Sequence, residues 1–263
     1  MSLTRTAVKA ASALTDAFVP SPPGPRILIY HQVDAGLGRE MEVHLEDFRR
    51  QLIWLSANRQ VVDLGEALVR WAEPGSERMV VLTFDDGYRD TFTTAFPLLL
   101  EHGFPFTLYL ATESIETGVS LGPAERAEPL SWDQIGTMLE SGLLTVGAHT
   151  HRHLDLRRLS IDQVEDELGT SDDLIETRLG VRPAHFAYPW GFWSPSSDRP
   201  VTDRYSSAAL AGSRRANRDL EPHLLHRYPV QLSDGFRFYR ARLRGGLRLE
   251  EILRRRLKGY KGP

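Results

Sequence analysis

The stretch VLTFDDGYRD, from Val81 to Asp90, joins a buried strand directly to two adjacent acids. Its apolar and β-branched start is typical of a strand, and the run continues without a break into Asp85, Asp86 and Gly87. Two neighbouring carboxylates at the end of a buried strand repel each other and lose hydration. The pair therefore requires a compensating partner, and the rest of the sequence shows where to look for it.

Apolar strand-like segments alternate with helical ones on both sides of this stretch. The strand-like segments are RILIYHQV, MVVLTF, FPFTLYLAT, LLTVGAH, AHFAYP and HLLHRYPVQL. Between them, LEDFRRQLIWLSAN has helical periodicity, and capping-box patterns at Ser131 and Ser160 predict the starts of two further helices. The alternation predicts parallel strands joined by helical crossovers, in either an α/β barrel or a doubly wound sheet.

In both architectures functional groups collect at the carboxyl ends of the strands. Asp85 and Asp86 follow one predicted strand. His149, Pro189 and His31 end or interrupt three others. We therefore expect these residues to meet at one edge of the sheet.

Composition limits the classes of function. The 263 residues are 41% hydrophobic, with a formal net charge of -3 and no cysteine. Such a chain can bury one sizeable core, and its charge gives no field that would select nucleic acid. Without cysteine, disulfides and thiolate metal sites are excluded. Polar residues interrupt the N-terminal segment and no later run is long and apolar enough to span a bilayer, so we predict no signal peptide and a cytoplasmic protein.

We divide the chain into an N-terminal helix with a linker, residues 1–25, and a main domain, residues 26–263. The linker PSPPGP is too rich in proline to be helical. The helix has apolar residues at roughly helical spacing, with Arg5 and Lys9 elsewhere on the helical wheel. These apolar residues are Leu3, Ala7, Ala10, Leu14 and Phe18. We favour a helix that lies on the domain, or a frayed terminus, over a membrane anchor.

A metal ion would explain the two aspartates. The segment GAHTHRHLDL places His149, His151 and His153 together at another strand end, in a chain with 9 histidines. Two imidazoles and one carboxylate leave coordination positions open for water and substrate, as catalytic zinc and non-haem iron(II) require. The sequence therefore predicts a catalytic metal site at this edge.

The same residues carry a family resemblance. TFDDG (residues 83–87) and HTHRH (residues 149–153) resemble the first two motifs of the NodB-like polysaccharide deacetylases, carbohydrate esterase family four. ILIYHQV, GFPFTLYLAT, LSWDQI and FAYPWG resemble its exopolysaccharide branch, which includes poly-N-acetylglucosamine deacetylases. The resemblance covers about residues 26–231. It implies a distorted (β/α) barrel as the catalytic domain and one divalent metal ion, commonly zinc, with cobalt, nickel, manganese or iron as alternatives.

The resemblance also implies roles. Asp86, His149 and His153 would be the metal ligands, and Asp85 the catalytic base that takes a proton from water. The backbone N–H of Trp190, in YPWG, would stabilise the oxyanion. The implied reaction is hydrolysis of the acetyl group of an N-acetylated sugar.

Expulsion of the amine calls for a general acid, and two histidines are candidates. His31 matches the N-terminal Tyr-His of the exopolysaccharide branch and is our first choice. His226, in LLHRYPV, is the alternative because it superficially resembles a late Leu-x-His motif of the family. The chain departs from the family pattern at Ala187, where an arginine that orients the catalytic aspartate usually stands.

Substrate contacts are expected from the segment after the AHFAYP strand. Tyr188, Pro189 and Trp193 are the candidate substrate-binding residues, since aromatic rings stack on sugar faces. The sequence does not distinguish among a polymer, an oligosaccharide and a lipid-linked or nucleotide-linked aminosugar as the substrate. The alternative functions are an O-acetyl esterase, a non-catalytic glycan-binding scaffold and, more distantly, an iron(II) oxygenase.

The C-terminal segment is basic. A helix is predicted there with an apolar stripe formed by Leu249, Ile252, Leu253 and Leu257, and with Glu250–Arg254 and Glu251–Arg255 as i,i+4 pairs. We favour packing of this stripe on the barrel. The alternative is peripheral contact with anionic lipid headgroups through the basic face.

Overall fold

The computed structural model describes residues 3–16, 23–121, 127–212 and 220–257. The strands in these ranges are β1 (Arg26–Tyr30), β2 (Gln32–Val33), β3 (Glu42–Val43), β4 (Gln60–Val61), β5 (Met79–Phe84), β6 (Phe106–Leu110), β7 (Leu144–Ala148), β8 (His185–Ala187), β9 (Ser207–Ala211) and β10 (Leu225–Pro229). The α-helices are α1 (Leu3–Asp16), α2 (Leu45–Asn58), α3 (Leu64–Val69), α4 (Phe96–His102), α5 (Thr112–Thr117), α6 (Trp132–Glu140), α7 (Ile161–Leu179), α8 (Pro195–Arg204), α9 (Gly235–Leu243) and α10 (Arg248–Leu257). Both predicted capping boxes are present, at the starts of α6 and α7.

Seven parallel strands close into a barrel. Their order is β1, β10, β9, β8, β7, β6 and β5, and β5 pairs back onto β1. The short strand β4 adds to the beginning of β5, and β2 with β3 forms a separate two-stranded sheet. Closure of the ring distinguishes between the two predicted architectures: the fold is the distorted (β/α) barrel.

The barrel strands are buried on both faces, which explains their nearly continuous apolar sequences. One apolar cluster packs the strands against the surrounding helices, and a smaller one combines residues of β1, β5, β6, β8, β9 and β10 with residues of α3. Alternation along the strands places the strand residues of this smaller cluster inside the barrel. The ring of Tyr109 needs the absence of a side chain at Gly147, where a Cβ would lie 2.5 Å from Tyr109 Cδ1.

Helix α1 forms as predicted, but it presents a different face to the domain. Lys9 is fully buried, whereas Leu14 is 64% exposed. The Lys9 ammonium lies 2.6 Å from Asp234 Oδ1 and donates to Ser233 Oγ at the same distance. A buried counter-charge on the main domain therefore sets the orientation of α1. The predicted contacts of Leu3 and Phe18 lie outside the described side chains.

Helix α10 also differs from its prediction. Leu249, Ile252 and Leu253 are 39%, 45% and 37% exposed, whereas Glu251 is buried. The neighbouring Glu250 lies 3.0 Å from the buried Arg242, so pairing of charges orients the helix and leaves the apolar stripe facing outwards.

Three parts of the α10 prediction lie outside the described side chains: Leu257 and the pairs with Arg254 and Arg255. No helix in the described part of the chain has the length and apolar character needed to cross a bilayer. Contact of α10 with a lipid surface stays a prediction.

Candidate active site

Three side chains predicted as metal ligands meet at the carboxyl edge of the barrel. Asp86 follows β5, and His149 and His153 follow β7. Their candidate ligand atoms all lie within 4.8 Å of one another. Asp86 Oδ1 is 3.4 Å from the Nε2 atom of each histidine. His151 points elsewhere, with its Nδ1 atom 3.0 Å from Thr112 Oγ1.

The backbone bends sharply to bring these groups together. Asp86, Thr150, His153 and Trp190 all have positive φ angles, of 76°, 66°, 55° and 62°. A non-glycine residue rarely adopts this region, at a cost of about 1–3 kcal/mol each, and such residues concentrate at functional sites. The strand ends are therefore held in strained turns that aim side chains into the site.

The donor set fits a divalent metal ion. His149 Nδ1 lies 2.6 Å from the carbonyl oxygen of Ala187, which can only accept, so Nδ1 carries the hydrogen and the neutral imidazole offers its lone pair at Nε2. Asp86 Oδ1 is buried and has no hydrogen-bond partner among the described residues. An unpaired buried carboxylate oxygen facing two imidazole nitrogens is the arrangement that a cation would satisfy.

The electrostatics agree with this assignment for Asp86 and His153; at His149 burial lowers the pKa, but the neighbouring Asp86 and Asp85 outweigh it and raise the pKa above its usual value. Burial would raise the pKa of Asp86, but the close approach of His149, together with His153 and His31, holds it well below its usual value. Burial lowers the pKa of His153 to about 4, against the opposing effect of Asp86. At neutral pH the carboxylate is therefore ionised and the His153 imidazole is neutral, as metal ligation requires.

Asp85 is locked by an arginine inside the barrel. Arg227, on β10, donates from both terminal nitrogens to the two carboxylate oxygens of Asp85, at 2.6 and 2.7 Å. It also donates to Thr83 Oγ1 and to the carbonyl oxygen of Leu210. Burial acts to raise the pKa of Asp85, yet the charge of Arg227 keeps it below the usual range. Asp85 is consequently ionised and fixed in orientation beside Asp86.

Arg227 is a site residue that the sequence analysis missed. The expected arginine was sought at Ala187 on β8, whereas this chain supplies a guanidinium to Asp85 from β10. The sequence feature that could have identified Arg227 is its charge at the centre of the apolar, buried strand LHRYP. Arg227 is fully buried, and arginine is rarely buried unless it is paired.

The two candidate acids lie in different surroundings. His31 lines the same cavity as Asp85 and the three candidate ligands, and its Nδ1 atom is buried without a described hydrogen-bond partner. His226 is not among the residues lining that cavity, and its Nδ1 atom lies 2.8 Å from the carbonyl oxygen of Gly212. The geometry brings His31, and not His226, to the predicted metal site.

The cavity has a volume of about 190 Å³. Trp190 stands at its rim, 54% exposed, with its ring centroid 5.4 Å from that of His153. Gly191 lets this turn approach β9, because a Cβ there would lie 2.1 Å from the Cβ of Ala211. An exposed indole beside a candidate ligand is available to contact a substrate.

The three predicted substrate-binding residues do not line the cavity. Tyr188 is fully buried in the core, in an edge-to-face contact with Phe186. Pro189 is also buried, and the Trp193 indole donates to Asp198 Oδ1 at 2.8 Å. Their positions give no support to direct substrate contact, because the strained turn at Trp190 presents only that ring to the opening.

A second wall of the cavity, also missed from sequence, comes from the loop before β3. Glu42 is buried and accepts backbone N–H bonds from Gly36, Leu37 and Gly38, at 2.6, 3.0 and 2.7 Å. The loop held in this way carries Arg39 to the cavity wall. It thus adds a cation to a site otherwise rich in carboxylate and imidazole.

Comparison with known proteins extends these findings. YxkH of Bacillus subtilis, named after the polysaccharide deacetylases, is 27% identical over 213 residues, which cover 80% of this chain and 71% of that protein. The poly-β-1,6-N-acetyl-D-glucosamine N-deacetylase of Escherichia coli K12 is 30% identical over 133 residues, 46% of this chain and 20% of that protein. Among solved structures, the Streptococcus pyogenes deacetylase PplD superposes with a TM-score of 0.72 at 22% identity, covering 83% of this chain and 97% of that one.

The sequence model of the polysaccharide deacetylase family matches residues 72–204, just over half of the chain. This match begins before β5 and ends at the close of α8, so it contains Asp85, Asp86, His149, His153 and Trp190. The similarity to PplD supports the same barrel fold independently of these motifs. This chain belongs to the polysaccharide deacetylase family.

Proposed function

We propose that this protein is a metal-dependent hydrolase that removes acetyl groups from N-acetylated sugars. The observation that carries the proposal is the unpaired Asp86 Oδ1 atom, which faces the Nε2 atoms of His149 and His153 beside an ionised Asp85. The named activity of the E. coli relative supports an amide as the bond cleaved. The proposal covers polymeric, oligomeric and lipid-linked forms of such sugars.

Asp86, His149 and His153 would hold the metal ion. When bound, a divalent ion such as zinc would lower the pKa of a coordinated water to about 7 and polarise the acetyl carbonyl. Asp85 accepts a proton from the attacking water, and Arg227 keeps its carboxylate oxygens directed at the site. The lowered pKa of Asp85 makes it a weak base, but one that is fully ionised at neutral pH.

The remaining steps fall to residues on the cavity wall. The backbone N–H of Trp190 donates to the oxyanion that develops on the acetyl carbonyl. His31 then gives a proton to the sugar nitrogen as the C–N bond breaks, because an amine leaves poorly without one. The products are acetate and a free aminosugar.

Acetate release tests the proposal. Metal-replete protein should release acetate from N-acetylglucosamine oligomers, and a chelator should abolish the release until zinc is restored. Asp85→Asn should keep its metal and lose activity by about 10²–10⁴-fold, since it removes the base alone. Release from O-acetylated xylan but not from the oligomers would instead assign an esterase. Binding of oligosaccharide without any acetate release would assign a glycan-binding scaffold.

A further inference from the structure

A second cavity, of about 510 Å³, opens among α1, α2 and α9, and four of the nine residues in its wall are arginines. Arg50 comes from α2, Arg237 and Arg240 come from α9, and Arg244 directly follows α9. None of the residues lining it lines the cavity of the candidate active site. The proposed deacetylation makes no use of these cations.

Three of the guanidinium groups have no acidic partner. All three are exposed, and no carboxylate of the described residues forms an ion pair with Arg50, Arg237 or Arg240, whereas several other exposed arginines, such as Arg152 and Arg204, have one. Aromatic rings lie under them instead. The Arg50 guanidinium carbon is 4.1 Å from the ring centroid of Phe236, and that of Arg240 is 5.8 Å from the centroid of Trp54. Stacking on a ring orients a guanidinium while leaving its N–H donors unused by acids.

The local charge balance is positive. Asp16 is the single acid among the lining residues, and it already accepts the backbone N–H of Arg248 at 3.0 Å. The positive potential also reaches Arg59, whose pKa is lowered first by burial and then by nearby arginines that include Arg244. Four like charges around one cavity repel each other, and an anion bound among them would remove that cost.

We propose that this cavity is a binding site for a diphosphate group. Arg237 and Arg240 lie one turn apart on α9 and Arg244 directly follows its last residue, so three of the four cations reach the cavity from one element. A diphosphate carries about three negative charges near neutral pH, which matches four arginines and one aspartate. Guanidinium groups bind phosphoryl oxygens in a bidentate manner.

Calorimetric titration with inorganic pyrophosphate tests the site, with the whole chain and a fixed low salt concentration. Wild-type protein should bind, and Arg50→Gln with Arg240→Gln should weaken binding by about a hundredfold, roughly tenfold for each lost charge-assisted contact. Arg49→Gln is the matched control, because Arg49 is an exposed neighbour on the same helix that does not line the cavity. It should bind like the wild type.

Failure of wild-type protein to bind pyrophosphate would overturn the proposal, and so would equal losses in Arg49→Gln and the double variant. Equal thermal midpoints for the three proteins would show that folding is unchanged. Co-sedimentation with phosphatidylcholine vesicles, with and without a polyprenyl diphosphate, then separates the sources of the group. Arginine-dependent sedimentation only with the diphosphate lipid indicates a lipid-borne ligand, whereas pyrophosphate binding without sedimentation indicates a soluble one. Acetate release should be unaffected by all three substitutions.

Discussion

Two buried charged clusters of this protein differ in how completely their polar atoms are paired. In the first, Lys9 and Arg242 enclose Asp234. The lysine lies 2.6 Å from Asp234 Oδ1, and the guanidinium donates to both carboxylate oxygens of Asp234 at 2.7 and 2.9 Å. In the second, Asp86 Oδ1 and His31 Nδ1 are buried with no partner among the described residues.

This difference distinguishes buried charges that stabilise the fold from buried charges that serve a functional site. Buried polar groups are nearly always paired, because an unpaired one forfeits its hydration without compensation. The Lys9 cluster follows this rule and attaches α1 to the barrel. The Asp86 cluster departs from it at the one edge where family motifs, strained turns and a cavity coincide. An unpaired atom there indicates a ligand or substrate that completes the set.

The largest effect is expected when a candidate ligand is removed. His149→Ala or His153→Ala should lose bound zinc and with it essentially all acetate release, since two ligands hold the ion poorly. His151→Ala is the control, because this histidine lies in the same motif but contacts Thr112 Oγ1. Elemental analysis of zinc-loaded protein after desalting measures the result. Full zinc content in His153→Ala would show that the cluster around Asp86 does not bind the ion through His153.

The two candidate acids provide the next test of the comparison between unpaired and paired buried groups. His31→Ala should lower kcat/KM for an amide substrate by about 10²–10⁴-fold while sparing an activated acetate ester, whose leaving group needs no proton. His226→Ala should affect both substrates mildly, because its Nδ1 atom lies within hydrogen-bond distance of Gly212 O. Measuring both substrates in both variants decides between them. A loss confined to the amide in His226→Ala, with His31→Ala near wild type, would transfer the role.

A substitution in the Lys9 cluster should lower the stability of the fold instead of the activity. Lys9→Met leaves Asp234 and Glu250 with one cation fewer in a buried setting, and the free energy of unfolding should fall by about 3–5 kcal/mol. Arg5→Met, on the same helix, removes only a partly exposed pair with Glu40 and should cost about 0–1 kcal/mol.

Urea denaturation of both variants provides this measurement. Zinc content should remain at the wild-type level in each, since neither residue approaches the candidate active site. An unchanged denaturation midpoint in Lys9→Met would show that the pairing contributes nothing.

Arg227 shares features of the structural and the functional cluster, because it is fully paired and yet acts on a residue of the candidate site. Arg227→Lys keeps the charge but loses the two parallel contacts with Asp85, so kcat should fall by about 10–100-fold with little change in KM or zinc content. Steady-state kinetics combined with metal analysis test this expectation. A rise in KM alone would mean that Arg227 contributes to substrate binding instead of orienting the base.

Asp90 is an intermediate case whose effect should appear only when the pH is varied. It accepts the backbone N–H of Val33 at 2.7 Å but pairs with no described cation, and burial raises its pKa to about 7. The folded state therefore retains a proton that the unfolded state releases between about pH 4 and pH 7, so wild-type stability should fall as pH rises through that window. Asp90→Asn should flatten this dependence in urea denaturations at several pH values. An equal slope in both proteins would contradict the raised pKa.

Much of the fold was predictable because the strands are buried on both faces and the helices carry their own start signals. The N-terminal and C-terminal helices were also predicted, but not the faces they bury. Apolar spacing favoured Leu14 and Leu249 as contacts, whereas the domain buries Lys9 and Glu251. Periodicity counts apolar side chains and contains no information about a distant counter-charge.

For the candidate site, the sequence by itself predicted Asp85, Asp86, His149 and His153, because each pair lies in a short motif at the end of a strand. Local chain geometry holds the members of each pair near each other, whereas the barrel brings the two pairs together. Only the tertiary structure revealed Arg227, which meets Asp85 across 142 residues of sequence. That contact exists because the strands close into a ring and point alternate side chains of β5 and β10 into the same interior.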